Sequence, residues 1–415
     1  MKYVDYSWDF RSADTKQGTH CFHAYPAMMI PQIAEKILSK YAKGSETLFD
    51  PYCGTGTSLV EANIKGINAI GTDLNPLARL IAKAKTTVLD LQILDLYLKD
   101  FNDFAFQFRF GIKNNYSSVV LPKFQNIDFW FDENTTKKLA FIKSFIENIQ
   151  HDGVRQFFLT AFSETIRESS FTKKSEFKLI RMPEVKREKF SPDSFGIILS
   201  KLIRNKQGLI EFSNSKKNNA ISKIRDFNSV NNIPRNEIED NSIDIVLTSP
   251  PYGDSRTTVA YGQYSRLSNQ WLGIENANQI DNKLMGGKKS TDEKIACSQN
   301  LNNTIEKIAK KDEKRASEVL SFFVDYKKSI DNVSKKIKSE KYACYVVGNR
   351  TVKGVQIPMD EITKDFFKSN GFYHTETIIR NIPNKRMPSE NSPSNIVGKK
   401  AATMKHEYIV IMKKE

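Results

Sequence analysis

Residues 243–252 read Ile-Asp-Ile-Val-Leu-Thr-Ser-Pro-Pro-Tyr. Ile243, Ile245, Val246 and Leu247 predict a short, buried, β-branched strand. It must stop at Thr248, because Pro250 and Pro251 cannot donate to a ladder. In open α/β sheets, chemistry collects in loops at the carboxyl ends of strands. The two prolines stiffen this loop. Its carbonyls and the hydroxyls of Thr248 and Ser249 are therefore expected to project beside the flat ring of Tyr252. An acceptor-rich loop next to an aromatic plate suits a planar base that carries an exocyclic amino group. The plainer alternative is a strand ended by an ordinary proline turn.

An earlier stretch weighs against that alternative. Thr47–Glu61 read as a short strand ending at Asp50, then Pro51-Tyr-Cys-Gly-Thr-Gly56, then a helix from Thr57 to about Lys65. Gly54 and Gly56 allow the backbone to approach a ligand closely, and the helix start offers unpaired N–H groups. A lone Gly-x-Gly is weak. Here a second strand, Ala69–Thr72, ends at Asp73, about twenty residues after the first, where a nucleotide-binding βαβ unit places its ribose carboxylate. Asn75-Pro76 then caps a helix through Lys85. Upstream, His23-Ala-Tyr-Pro26 forms a stiff loop into a helix that starts at Pro31 and runs through Ala42. His20 and His23 are read as structural histidines, and no carboxylate cluster near them suggests a metal.

Charge points to a polyanionic partner: 63 Lys and Arg against 48 Asp and Glu give a net +15 and a pI near 9.3. At 415 residues the chain is long enough for two or three domains. It has no apolar run that could span a bilayer and no apolar signal-peptide core at its start. Cys21, Cys53, Cys297 and Cys344 include no Cys-x-x-Cys pair. That speaks against zinc and disulfides and fits a reducing, cytoplasmic setting.

Residues 91–222 predict a helical block. Leu139, Ile142, Ile146 and Ile149 mark one amphipathic helix, Arg155–Ser170 a second, and Phe129-Trp-Phe131 is expected in the core. Lys173 to Lys189 is basic and interleaved with Phe177; Phe190 follows it. It is read either as a solvated face or as phosphate contacts along a duplex. The polar stretch Gly253–Arg266 is expected to cross the pocket or touch nucleic acid. Residues 274–316, rich in lysine and asparagine, read as a mobile loop. A long helix carrying Val319, Phe323, Tyr326, Ile330, Val333 and Ile337 follows, then a strand over Tyr342–Val347 and a helix over 358–368. Two final strands, about His374–Arg380 and Glu407–Met412, flank an excursion containing Lys385-Arg-Met-Pro388.

With these stretches in place, the chain resembles the bacterial DNA amino-methyltransferases of restriction–modification systems. His23-Ala-Tyr-Pro-Ala27 resembles their motif X, Asp50-Pro-Tyr-Cys-Gly-Thr-Gly-Thr57 their motif I, and Thr248-Ser-Pro-Pro-Tyr252 their motif IV. The likeness covers about the first 90 residues and the stretch from about 240 onward. It implies an α/β fold: a seven-stranded, mostly parallel sheet with a C-terminal antiparallel hairpin, plus a helical, basic insert. Residues 1–90 would form the cofactor part, 91–222 the insert that reads the target, and 223–415 the catalytic part; residues 274–316 compete as the reading element. The cofactor implied is S-adenosyl-L-methionine. Asp50, Pro51, Cys53, Gly54, Gly56 and Thr57 would line it, Asp73 would take the ribose hydroxyls with Asn75 beside it, and His23, Tyr25 and Pro26 would border the methionine end. Asp226 or Asn228 would contact the adenine.

The implied substrate is double-stranded DNA with the target base flipped out, since a stacked amino group cannot reach the methyl carbon. Ser249 and the Pro250 carbonyl would accept from the amino group, with Thr248 and Pro251 shaping the loop and Tyr252 stacking on the base. Ser249 at the head of Ser-Pro-Pro-Tyr resembles the cytosine-N4 subgroup, whereas adenine-N6 enzymes carry Asp or Asn there. A cognate restriction endonuclease is the implied functional partner. The alternatives are an adenine-N6 enzyme, an RNA base methyltransferase, and a binding protein on an inactive scaffold.

Overall fold

The computed structural model describes residues 1–415 except Ala27, 110–118, 175–177, 254, 281–283, 288–293, 383–389, 392–400 and 403; at 109, 255–261, 390–391 and 401–402 only the backbone is described. Phe177 and Lys385–Pro388 thus lie outside the described residues, as do the side chains of 255–261 in the polar stretch.

Among the described residues, eight strands form one sheet. They are β1 (Lys2–Val4), β2 (Thr47–Asp50), β3 (Asn68–Thr72), β4 (Ser222–Arg225), β5 (Ile243–Thr248), β6 (Ile337–Val347), β7 (Phe372–Asn381) and β8 (His406–Lys414), in the order β1-β7-β8-β6-β5-β2-β3-β4. β8 runs antiparallel to both its neighbours and every other pairing is parallel. The expected seven strands with a reversed C-terminal hairpin are present. The eighth, β1, is a correction: three residues pair with Thr377–Ile379 of β7 at the sheet edge, a length too short to carry an alternating pattern.

β5 is buried at every position because helices cover both sheet faces, so Ile243, Ile245, Val246 and Leu247 are apolar on both sides; the one charge, Asp244, accepts from the Glu46 and Thr47 N–H groups and from Lys338. Helices α1 (Pro31–Tyr41), α2 (Thr57–Ile64) and α3 (Pro76–Thr86) lie in the first 90 residues. Ile33, Ile37, Leu38 and Leu59 pack with Leu48, Ile245 and Leu247 on one face. The helical block follows: α4 (Leu91–Arg109), α5 (Glu133–Glu147), α6 (Asp152–Ser169) and α7 (Ser194–Ser215). Then come α8 (Ser255–Trp271), α9 (Gln299–Ala309), α10 (Glu313–Lys336) and α11 (Met359–Lys368). Phe322, Tyr326, Ile330 and Phe366 of α10 and α11 fill the opposite face against Val246, Ala343 and Val410. No helix among the described residues is long and apolar enough to cross a membrane.

The block from α4 to α7 has a core of its own, built on Phe101, Phe158, Phe162 and Leu202; it also takes in Phe22, Leu267 and Trp271 from outside residues 91–222. α8, from residues 223–415, thus packs with this block. Two expectations fail locally. Of Phe129-Trp-Phe131, only Phe131 is buried; Phe129 is 45% exposed and lies under the Arg181 guanidinium at 4.0 Å. Residues 274–316 are not one loop: Ser298 caps α9 by accepting from the Leu301 N–H, and Leu301 and Ile308 face the core.

Candidate active site

Parallel β2, β3, β4, β5 and β6 bring their carboxyl ends to one edge, and antiparallel β8 brings its start there. The glycine loop begins at that edge. Asp50 closes β2, and Gly54 and Gly56 take φ of +49° and +81°, which L side chains rarely adopt. At Gly56 a Cβ would stand 3.0 Å from the Ala82 Cβ, so only glycine lets α2 start against α3. At Gly54 a Cβ would meet nothing within 4 Å: the loop faces open space. Asp73 stands across it. Its Oδ2 accepts from the Gly54 N–H at 3.1 Å and its Oδ1 from the Asn75 N–H at 2.7 Å, leaving lone pairs on both oxygens for ligand hydroxyls. Burial raises the Asp73 carboxyl, opposed by those N–H groups and by Arg79. Thr57, at the first turn of α2, is buried beside the loop.

Asp50 does something other than face a ligand. It is 3% exposed and accepts from the Tyr52 N–H at 3.0 Å, from the Thr248 hydroxyl at 2.5 Å and from the Ser58 hydroxyl. Burial pushes its carboxyl up to about 6 against those three donors. The expectation that the Thr248 hydroxyl projects from its loop is therefore corrected: it is fully buried and bonds the two loops together. The register explains it. Phe49 pairs with Val246, which sets Asp50, the last residue of β2, beside the end of β5, where Thr248 stands. Cys53 is also corrected. Its side chain packs in the core behind the loop, and burial holds its thiol well above the usual range. Pro51 is buried in the same turn.

The His23–Pro26 segment is held from three sides. Glu164 of α6 accepts from the Ala24 N–H at 3.1 Å, Arg204 of α7 donates to the Phe22 carbonyl at 2.8 Å and to Glu164 at 2.9 Å, and the Tyr264 hydroxyl of α8 donates to the Ala24 carbonyl. Burial would raise the Glu164 carboxyl, yet His23, Lys201 and Arg204 outweigh it and hold it at about 2. His23 Nδ1 reaches the Ala24 carbonyl at 3.0 Å; burial holds the imidazole at about 4, and its Nε2 is buried without a hydrogen-bond partner. The His20 ring bonds Glu61 through Nε2 at 2.8 Å, a core histidine whose Nδ1 has no hydrogen-bond partner among the described residues. The Asn75 side chain does not turn to the open loop. It donates to Tyr25 Oη at 2.9 Å and to Ser265 Oγ at 2.7 Å, and its own oxygen takes the Leu77 N–H at 3.2 Å and Asn269 at 3.2 Å. Pro26 is buried next to Tyr25.

In the third segment, Pro250 is buried while Ser249, Pro251 and Tyr252 reach the surface. Ser249 Oγ and Tyr252 Oη are 3.2 Å apart. The phenol donates to Glu407 Oε1 at 3.1 Å, and Glu407 is paired with Arg380, which is anchored on the Trp8 carbonyl at 2.7 Å and the Asp9 carbonyl at 3.1 Å. Gly348, just past β6, stands against the ring, so that a Cβ there would come 2.7 Å from Tyr252 Cδ2. The Tyr252 plate is thus held at its hydroxyl and closely packed at its Cδ2 side. Among the described residues no histidine or carboxylate bonds Ser249, and Cys53 is buried. The site presents acceptors and a flat surface, with no activated nucleophile among the described residues. Sequence reading missed Glu164, Arg204, Arg380 and Glu407, each one polar residue in an ordinary helix or strand pattern, with no local signal; Tyr264 and Ser265 belong to the polar stretch Gly253–Arg266 expected to cross the pocket or touch nucleic acid.

No family model matches the chain. The type II methyltransferase M.MvaI of Kocuria varians is 42% identical over 97% of this chain and 93% of its own length. The type II methyltransferase M.MjaII of Methanocaldococcus jannaschii is 35% identical over 23% of this chain and 19% of its own length. The type II methyltransferase M.BsoBI of Geobacillus stearothermophilus is 22% identical over 58% of this chain and 50% of its own length. With a relative so similar along nearly the whole of both chains, this chain belongs to the type II methyltransferases of restriction–modification systems.

Proposed function

We propose that the chain methylates the exocyclic N4 amino group of cytosine in double-stranded DNA, as the modification arm of a restriction–modification system whose endonuclease is a separate functional partner. The methyl donor is S-adenosylmethionine, which supplies an electrophilic methyl group on a sulfonium. The residues present fit it. Open space in front of Gly54 admits a ligand against the backbone, and Asp73 keeps lone pairs for ribose hydroxyls. Of the two candidates for the adenine, Asp226 is exposed just past β4, whereas Asn228 spends its oxygen on the Val230 N–H at 3.0 Å; Asp226 takes the role.

The observation that carries the reading is the Ser249–Tyr252 pair held beside the glycine loop by the Thr248–Asp50 bond. A flipped base lies on the Tyr252 ring. Ser249 Oγ and the Pro250 carbonyl accept from its amino group, which aims the nitrogen lone pair toward the methyl donor. Rate comes from positioning. Because Ser249 is neutral, it accepts from a cytosine amino group without placing a carboxylate in the site. The insert, residues 91–222, reads the target through the exposed lysines at 173, 174, 178, 186 and 189. Its segment near Leu179 bonds Gln263 of α8, the helix that leaves the catalytic loop.

The test is incubation of the purified protein with labelled S-adenosylmethionine and mixed-sequence duplex DNA, followed by digestion to nucleosides and mass spectrometry. N4-methylcytosine is expected. N6-methyladenine would replace the cytosine assignment with adenine and keep the site; label on neither base would remove DNA as the substrate.

A further inference from the structure

Lys85, on the last turn of α3, has no exposed surface and is among the largest fully buried side chains. Side chains on a helix tilt toward its N-terminus, so this one runs back along α3 to the glycine loop. There its Nζ meets the hydroxyl of Thr55, the residue between Gly54 and Gly56, at 3.4 Å. Among the described residues no carboxylate pairs with it. The groups that act on its charge are the Cys21 thiol and the Arg204 guanidinium, and it acts in turn on His20 and His23; none of the four is an anion at neutral pH. Burial lowers the ammonium to about 8, so it still carries its proton at pH 7. An ammonium sealed from water without a counter-charge is costly. One held next to a ligand-binding loop calls for an anion from the ligand.

We propose that Lys85 and Thr55 form the subsite for the carboxylate of the cofactor's amino-acid end. The inference rests on the reading of the glycine loop as the cofactor site. It also fixes the cofactor's direction: ribose at Asp73, on the N-terminal side of α3, and the carboxylate toward Lys85 at its other end. Thr55, 2% exposed, donates its hydroxyl to Met28 Sδ at 3.0 Å. That bond is weak, and the hydroxyl is available to an incoming carboxylate.

The test compares S-adenosylmethionine with its decarboxylated form by calorimetry on the full-length protein, as wild type, Lys85→Met and Lys85→Arg. Wild type is expected to bind the carboxylate form more tightly, on the order of 10- to 100-fold. Lys85→Met should abolish that preference and Lys85→Arg should keep part of it. The unliganded Lys85→Met protein should melt no lower than wild type, because an isosteric apolar chain replaces an uncompensated charge. Equal affinity of wild type for the two ligands overturns the proposal whatever the variants do. So does a Lys85→Met protein that keeps the preference, or one that loses affinity for both ligands by the same factor. Wild type that binds neither ligand overturns the cofactor reading itself, and the subsite with it.

Discussion

Gly348→Ala should slow methyl transfer while leaving cofactor binding intact. A Cβ at this position would stand 2.7 Å from Tyr252 Cδ2, where ordinary contact begins at 3.4 Å, and it would also meet the Met404 sulfur. The sulfur is near the end of a flexible side chain and can swing away. The ring cannot move as easily, because its hydroxyl is held by Glu407, which is held in turn by Arg380. The plate must therefore tilt or shift by about 0.7 Å, the difference between those two distances. A misplacement near 1 Å costs roughly 10²-fold in a reaction that depends on positioning, or about 2–3 kcal/mol on the barrier. The assay is single-turnover transfer to duplex DNA at saturating cofactor, with S-adenosylhomocysteine affinity measured in parallel. A rate about 30- to 100-fold lower with unchanged cofactor affinity is expected. In the Tyr252→Ala background the same change should add almost nothing, since the clash is gone. A single variant within threefold of wild type, or rate losses that simply multiply in the double variant, would refute the role of Gly348 as a close support of the plate.

Three further outcomes follow from the same geometry. Asp73→Ala should weaken S-adenosylhomocysteine binding by about 10- to 100-fold, because it removes a ligand contact and strands the Gly54 and Asn75 N–H groups; equal affinity by calorimetry would contradict the assignment. Thr248→Val keeps the shape and deletes the bond to Asp50, so denaturant unfolding should report a loss of about 1.5–3 kcal/mol, and an unchanged midpoint would mean that the Thr248–Asp50 bond does not brace the loops. His23 and Glu164 should each take stability away in acid, opposed between pH 6 and 3.8 by Asp50, whose folded value of about 6 lies above its ordinary one. The folded value of His23, about 4, lies below its ordinary 6.5, so the unfolded chain takes up that proton first and stability is lost as pH drops from 6.5 through 4. Glu164, held at about 2 against an ordinary 4.5, adds a loss below 4.5. His23→Gln should flatten the unfolding midpoint between pH 6.5 and 4.5 relative to wild type, by about 3 kcal/mol at most, and an identical slope would show that His23 is not the titrating group.

What could be read from the sequence is what demands an unusual backbone. Gly54 and Gly56 need positive φ, Pro250 and Pro251 end a buried strand, and Asn75-Pro76 begins a helix; each leaves a local mark. Residues that work through tertiary partners leave none. Tyr252 was visible as an aromatic plate, but Glu407, which fixes it, is 155 positions away and looks like any charged residue at the start of an edge-facing strand. Asp50 and Thr248 were both visible, and their side chains were expected to face outward. Only the register of β2 against β5 turns them toward each other. The helix α9 was hidden because Leu301, Ile305 and Ile308 stand among asparagines and lysines whose composition resembles a loop, although their spacing is helical.

The split of the site across the chain has a mechanical consequence. Asp50 and Thr248 are 198 positions apart, yet a parallel sheet puts successive carboxyl ends on one edge whatever is inserted between them. The insert is not merely tolerated there. Its helices α6 and α7 supply Glu164 and Arg204, which grip Phe22 and Ala24, and α8, which leaves the catalytic loop, supplies Tyr264 to the same backbone. The Phe22–Ala24 segment, helices α6 and α7 and helix α8, which follows the Ser249–Tyr252 loop, therefore share one partly buried polar network. A movement of the insert on a nucleic-acid partner must shift α6 or α7, and neither can shift without drawing on the backbone at Phe22–Ala24. Replacing Glu164 would leave the Ala24 N–H and the Lys201 and Arg204 charges without their common partner, which ties the fit of the cofactor to the position of the insert.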